Sequence, residues 1–147
     1  MSGARADLNA TVETRLGAVG QRYTAKRREL VEALRRAANP VSIPEVVAGR
    51  GRLPQSSVYR NMAVLEQAGV VYRVMTEGGF ARFELAEDLS GHHHHVVCRR
   101  CGAVEDVTIP APLERSVERA LADVAEQTGF EAVGHRLDLI GTCRSCS

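Results

Sequence analysis

Four cysteines, set as Cys98-Arg99-Arg100-Cys101 and Cys143-Arg144-Ser145-Cys146, constrain this chain more than any other feature. None is left over, and the 41 residues between the pairs must fold back on themselves if the pairs are to meet. A C-x-x-C turn presents two thiolates to one point, and two such turns complete a tetrahedral tetrathiolate. Cys98, Cys101, Cys143 and Cys146 are therefore expected to hold structural Zn2+. The separation exceeds usual zinc-ribbon spacing, so the ion would staple a whole subdomain. A redox-active pair and two disulfides are the rivals. Redox motifs do not normally come as matched pairs, and the N-terminus has no apolar stretch of secretory type. The expected location is then the cytoplasm, where disulfides are disfavoured.

Four consecutive histidines, His92 to His95, stand just before Val96-Val97-Cys98. Their interior position argues against a purification tag. The surrounding residues, from the histidines through Ile109, have β character, and side chains along a strand alternate between its faces. Four adjacent imidazoles therefore cannot converge on one ion. His93 and His95 point one way, His92 and His94 the other, which predicts two metal sites sharing one strand. The fifth histidine, His135, lies in a strand-like segment running from Ala132 to Cys143. Between these segments Leu113, Val117, Leu121 and Val124 recur at helical spacing, with Gly129 as terminator. The expected order is β-β-α-β.

The first half reads differently. Residues 1–83 carry 13 Lys/Arg against 7 Asp/Glu, a net of +6, whereas residues 84–147 carry 6 against 11, a net of −5. A basic half suits a polyanion such as nucleic acid, and an acidic half rich in His and Cys suits cations. Thr24 opens an amphipathic run with Leu30, Val31 and Leu34 on one stripe. Ser42 and Glu45 form a capping box ahead of a short helix ending near Gly49. A third helix follows the turn-prone residues 49–52, with Val58, Met62 and Leu65 on one face and Gly69 at its end. Two β-rich segments then flank Gly78-Gly79, a hairpin signal. Helices followed by a two-stranded wing predict a winged helix-turn-helix whose last helix enters the major groove of double-stranded DNA. Gln55, Ser56, Ser57, Tyr59 and Arg60 would face the DNA there, with Arg22 reaching a phosphate or the minor groove. A solvated helix face is the competing reading. No apolar run approaches the roughly 20 residues that span a bilayer, so no membrane partner is expected.

Taken together, the chain resembles the ferric uptake regulator family from about Gly20 to Cys146. The matching pieces are Arg22 to Arg27, Ser57-Val58-Tyr59-Arg60, Phe83-Glu84-Leu85, the histidine run, Cys98 to Gly102, and Ile140-Gly141-Thr142-Cys143 through Cys146. The resemblance implies an α+β fold, with a winged-helix DNA-binding domain over residues 1–84, a hinge over 85–91 and a small α/β dimerisation domain over 92–147. It implies a homodimeric, metal-dependent repressor, not an enzyme, binding operator DNA and divalent metal ions. The family's regulatory hinge site falls on Glu84, His93, His95 and Asp106, with Glu105 as rival to Asp106. Its second site falls on His92, His94, Glu114 and His135, although a Glu in a first helical turn is also favoured by the helix dipole alone. In many relatives a histidine from the DNA-binding domain completes the hinge site; here that place falls to Pro40.

The regulatory ligands are nitrogen and oxygen only, whereas zinc-sensing relatives often place a cysteine at this site, which gives Fe2+ or Mn2+ some ground; intrinsic affinity does not select among the ions, and iron, zinc and manganese stay open in that order. A peroxide-sensing member is a further possibility. Outside the family, a zinc metalloenzyme lacks its H-E-x-x-H motif, and a metal-storage protein leaves the basic half unexplained.

Overall fold

The computed structural model describes residues 2–50 and 53–147, so the turn expected at 49–52 lies partly outside the described residues. Helix α1 spans Ser2–Ala18, α2 Ala25–Arg36, α3 Ile43–Arg50 and α4 Gln55–Gln67. Strands β1 (Val71–Met75) and β2 (Ala81–Leu85) form an antiparallel hairpin, and α5 (Glu87–Ser90) leads out of it. The remaining elements are β3 (His94–Cys98), β4 (Val104–Val107), α6 (Ala111–Thr128) and β5 (Asp138–Gly141). The fold is α+β: a winged helix-turn-helix followed by a small α/β part.

Local chemistry sets the winged-helix boundaries. The Thr24 hydroxyl accepts from the Arg27 amide at the start of α2. At α3 the capping box is reciprocal: the Ser42 amide donates to Glu45 at 2.6 Å, and the Glu45 amide to the Ser42 hydroxyl at 3.3 Å. Past α4, Gly69 takes a φ of +68°, a conformation side chains resist. The core joins Leu30, Val31 and Leu34 of α2 to Val58, Met62 and Leu65 of α4 and to Phe83 and Leu85 of β2. Val12 and Leu16 of α1 are fully buried in it as well. The sequence reading missed α1, although Leu8, Val12 and Leu16 stand four residues apart.

In the second part the sheet order is β4-β3-β5, with β4 antiparallel and β5 parallel to β3. Two expectations are corrected. The regular strand begins at His94, leaving His92 and His93 in the bend that follows Gly91 (φ +98°). On the other side the strand is only 138–141, paired from His95↔Asp138 to Cys98↔Gly141, with the Leu137 carbonyl accepting the His95 amide at 3.4 Å just ahead of it. The apolar stripe of α6 is present, yet Leu113, Leu121 and Val124 are exposed in the single chain, as are Leu139 and Ile140 of β5.

Candidate metal centres

The alternation of imidazoles survives the shortened strand. Side-chain donor atoms form three groups, each with its atoms within 4.8 Å of one another: Cys98, Cys101, Cys143 and Cys146; Glu84, His93, His95 and Asp106; and His92, His94, Glu114 and His135. They coincide with the cysteine set expected from its spacing and with the two sets that the family resemblance implies.

In the cysteine group, the turn after β3 and the segment after β5 meet because β3 and β5 pair side by side, Cys98 against Gly141. The thiols are free, and the Cys101 and Cys143 sulfurs stand 3.8 Å apart. Zn–S bonds of about 2.3 Å give a tetrahedral edge of about 3.8 Å, so this spacing suits the ion. Backbone amides of Cys101 and Cys143 point at the Cys98 sulfur and lower its pKa to about 6. Hydrogen bonding with Cys143 and Cys101 instead pushes Cys146 up to about 12. One thiolate thus stands ready at neutral pH, and another needs a cation to release its proton.

The hinge group joins both parts of the fold. Glu84 sits on β2, whose odd residues Phe83 and Leu85 enter the winged-helix core, so the even residues face the α/β part. The Glu84 carboxylate lies 2.9 Å from His93 Nε2 and 3.2 Å from His95 Nε2. Asp106 Oδ1 is 3.8 Å from both nitrogens. Glu105, its rival, faces away, onto a cavity beside Val96, Leu139 and Cys143. The far nitrogens are held: His93 Nδ1 donates to the Gly91 carbonyl at 2.8 Å and His95 Nδ1 to Asp138 at 3.2 Å. Both Nε2 atoms therefore aim at one point, the arrangement in which a metal-binding imidazole is oriented by an acceptor behind it. Burial acts to raise the Glu84 carboxyl, but hydrogen bonds from His95 and His93 outweigh it and hold the group below the usual carboxylate range. The Glu84 hydrogen bond raises His95 in turn. Burial pulls His93 down, yet the Gly91 carbonyl and Glu84 raise it overall. Burial raises Asp106.

Pro40 is not the neighbour of this group. It is fully buried, and Asn39 takes the place beside the site, its Oδ1 accepting the Asp106 amide at 3.0 Å. A proline side chain has no donor or acceptor to offer there.

In the third group Glu114 is the hub. Its carboxylate lies 2.8 Å from His94 Nε2 and 3.1 Å from His92 Nε2. His135 Nε2 is 2.9 Å away, though without hydrogen-bond geometry. His94 Nδ1 and His135 Nε2 are buried with no hydrogen-bond partner, unusual for polar atoms and fitting for a cation-binding cluster. His92 Nδ1 contacts Glu87 of α5, which raises the His92 pKa.

On the winged-helix side, Gln55, Ser56, Tyr59 and Arg60 are exposed at the start of α4; Ser57 is half-buried and its carbonyl accepts from Asn61 at 2.8 Å. Arg22 is exposed. Arg27 instead ties α2 to α4, donating to Asn61 at 3.1 Å and to Gln21 at 2.9 Å. Asn39, Arg82, Glu87 and Asp138 were not singled out from the sequence. Only Asp138 carried a signal, its alternation within Arg136-Leu137-Asp138-Leu139.

The sequence matches the ferric uptake regulator family description over residues 18–140. A peroxide operon regulator of Bacillus subtilis (strain 168) is 32% identical over 145 residues, covering 96% of this chain and 94% of that protein. A ferric uptake regulation protein of Legionella pneumophila is 35% identical over 91 residues, spanning 62% of each chain. Among solved structures, the ferric uptake regulator from Pseudomonas aeruginosa with manganese superposes at a TM-score of 0.68 and 29% identity, covering 89% of this chain and 96% of that one.

Proposed function

This chain belongs to the ferric uptake regulator family, and on that premise we propose that it is an iron-sensing, homodimeric repressor whose hinge site, Glu84, His93, His95 and Asp106, holds the regulatory metal. The observation that carries this reading is the mixed origin of the site. Glu84 comes from the wing and the other three side chains from the α/β part, so a cation shared by all four ties the posture of the DNA reader to metal supply. A ligand shifts a conformational equilibrium only by its differential affinity for the two states. A site assembled from both parts has that differential built in, because it exists only when they are together.

The remaining assignments follow the chemistry of each group. Cys98, Cys101, Cys143 and Cys146 hold structural Zn2+, and metal-binding free energy at such a site is folding free energy. His92, His94, Glu114 and His135 hold a second divalent ion. The exposed polar start of α4, Gln55 to Arg60, reads operator DNA, with Arg22 on the backbone. The uncovered stripe of α6 and the exposed β5 residues are the faces a second copy covers. With all four cysteines committed elsewhere, only nitrogen and oxygen remain at the hinge, a set that accepts Fe2+, Mn2+ and Zn2+; the likeness to ferric uptake regulation proteins supports iron among them. No catalytic role is assigned to any residue. Among the described residues no helix is long and apolar enough to cross a membrane.

A second reading, peroxide sensing through bound iron, is favoured by the match along nearly the whole chain to the Bacillus subtilis peroxide operon regulator. One experiment addresses both. Binding of the protein to its own upstream DNA is measured anaerobically with Fe2+, Mn2+ or Zn2+, before and after hydrogen peroxide. Metal-dependent binding insensitive to peroxide supports the iron sensor; loss of binding only in the iron-loaded sample supports the peroxide sensor. Equal binding with and without metal would sink both.

A further inference from the structure

Strand β2 presents two charged side chains to the α/β part, and only one of them is a ligand candidate. Glu84 meets the imidazoles. Arg82, two residues earlier on the same face, donates from Nε to the carbonyl of Gly102, which closes the turn that begins at Cys98. The same guanidinium donates from Nη1 to Glu45 of α3 at 2.8 Å and to the Pro40 carbonyl at 3.4 Å. It therefore clamps three things together: the cysteine turn, the capping box of α3 and the segment before it. A planar, five-donor fork can do this; a lysine ammonium, with one nitrogen, cannot reach all three.

The clamp does not act alone. Val74 of β1, the register partner of Arg82, shares a buried apolar cluster with Val97 of β3 and Val104 of β4. At the hairpin tip the Phe80 ring lies on Gly102, so close that a Cβ at that glycine would sit 2.6 Å from a ring carbon. Gly102 also has a φ of +70°. The turn itself is held by the Gly102 amide on the Cys98 carbonyl at 2.9 Å and by the Cys98 amide on the Ala103 carbonyl at 2.8 Å. The wing is thus docked on the cysteine turn by a charged clamp, an apolar cluster and an aromatic cap.

We propose that Arg82 is a positioning residue for the regulatory site, docking the wing on the Cys98–Gly102 turn so that Glu84 is already in place when metal arrives. Two residues of strand separate the clamp from the ligand, about 7 Å, too short for the strand to bend between them. When the competent posture is only partly populated, apparent affinity falls by that fraction. Undocking the wing therefore weakens metal binding without touching a ligand, and the cysteine site tunes the sensor through the turn it shapes. The inference rests on the reading that Glu84, His93, His95 and Asp106 hold the regulatory ion.

The test uses the full-length, zinc-loaded protein and Mn2+ as the probe, with the binding step lost in Glu84→Ala taken as the hinge site. Arg82→Met is expected to raise the Mn2+ Kd of that step about tenfold, with zinc content per chain unchanged and operator affinity restored at saturating Mn2+. Phe80→Ala, a change at a half-exposed ring, moves the same step in the same direction by a smaller factor and decides the matter alone if Arg82→Met does not fold. An unchanged Mn2+ Kd in the folded variants overturns the proposal, even if their melting temperature drops, because a merely structural contact would lower stability and leave the isotherm alone. Operator binding weakened at saturating Mn2+, with the isotherm unmoved, overturns it in favour of a DNA contact. A wild-type isotherm with no step removed by Glu84→Ala sinks the functional reading itself, a result distinct from the other two.

Discussion

His95 is oriented from behind before any metal arrives. Asp138 accepts a hydrogen bond from its Nδ1 at 3.2 Å, leaving Nε2 directed at Glu84 and Asp106. Removing such an acceptor typically weakens metal binding roughly 10- to 100-fold. Asp138→Ala should therefore lower Mn2+ affinity at the hinge site by about that factor while zinc content stays constant. Asp138→Asn, which keeps an accepting oxygen, should recover most of the loss in the same titration. Protons compete for the same nitrogens. Acceptors around His93 and His95 raise their pKa values, so the imidazoles stay protonated to a higher pH than free histidine. Metal affinity should accordingly decline as pH falls from about 8 to about 6, the direction expected when each bound ion displaces protons. Titrations at constant ionic strength across that range would check it, and a pH-independent Kd would count against these imidazoles as ligands.

At the scale of elements, α6 and β5 make the clearest demand. Leu121 and Val124 lie on an apolar stripe that the described residues of the single chain leave exposed. Burying a side chain of this size contributes about 1.5–3 kcal/mol, and in a two-fold dimer each substitution counts twice. Leu121→Glu should shift the protein toward monomer in sedimentation experiments and weaken operator binding along with it, since a palindromic operator needs both readers. The stripe was legible from Leu113, Val117, Leu121 and Val124; its exposure was not, because periodicity reports which face is apolar and not what lies against it. Helix α1 failed for another reason. Its signal rests on Leu8, Val12 and Leu16 alone, among Ala, Gly, Thr and charged residues, and only tertiary burial reveals that Val12 and Leu16 reach the core. The histidine run was legible at the level of faces because alternation needs only local extension, and a bend at His92 and His93 preserved the sides on which their rings fall. Asn39, Arg82 and Asp138 join elements 67, 20 and 43 residues apart, separations over which no spacing rule speaks.

For the whole molecule, the cysteine and hinge groups differ in what their loss should do. The cysteine group draws together the end of β3 and the end of β5, so it holds the α/β part closed. The hinge group draws together the wing, already folded into the winged-helix core, and the sheet, so it holds a posture. A mild chelator should therefore abolish operator binding while leaving the dimer and its helical content intact. Cys101→Ser removes one of four ligands from a site whose binding free energy is folding free energy, and should unfold or monomerise the C-terminal half at any iron concentration. Sedimentation and circular dichroism on chelated wild type, Glu84→Ala and Cys101→Ser separate these outcomes. Glu84→Ala should resemble chelated wild type, dimeric and folded but indifferent to added metal, because it lacks the one hinge ligand that the wing supplies. If it instead behaves like Cys101→Ser, the hinge group supports folding rather than posture, and metal supply would control this protein by destroying it rather than by turning its readers.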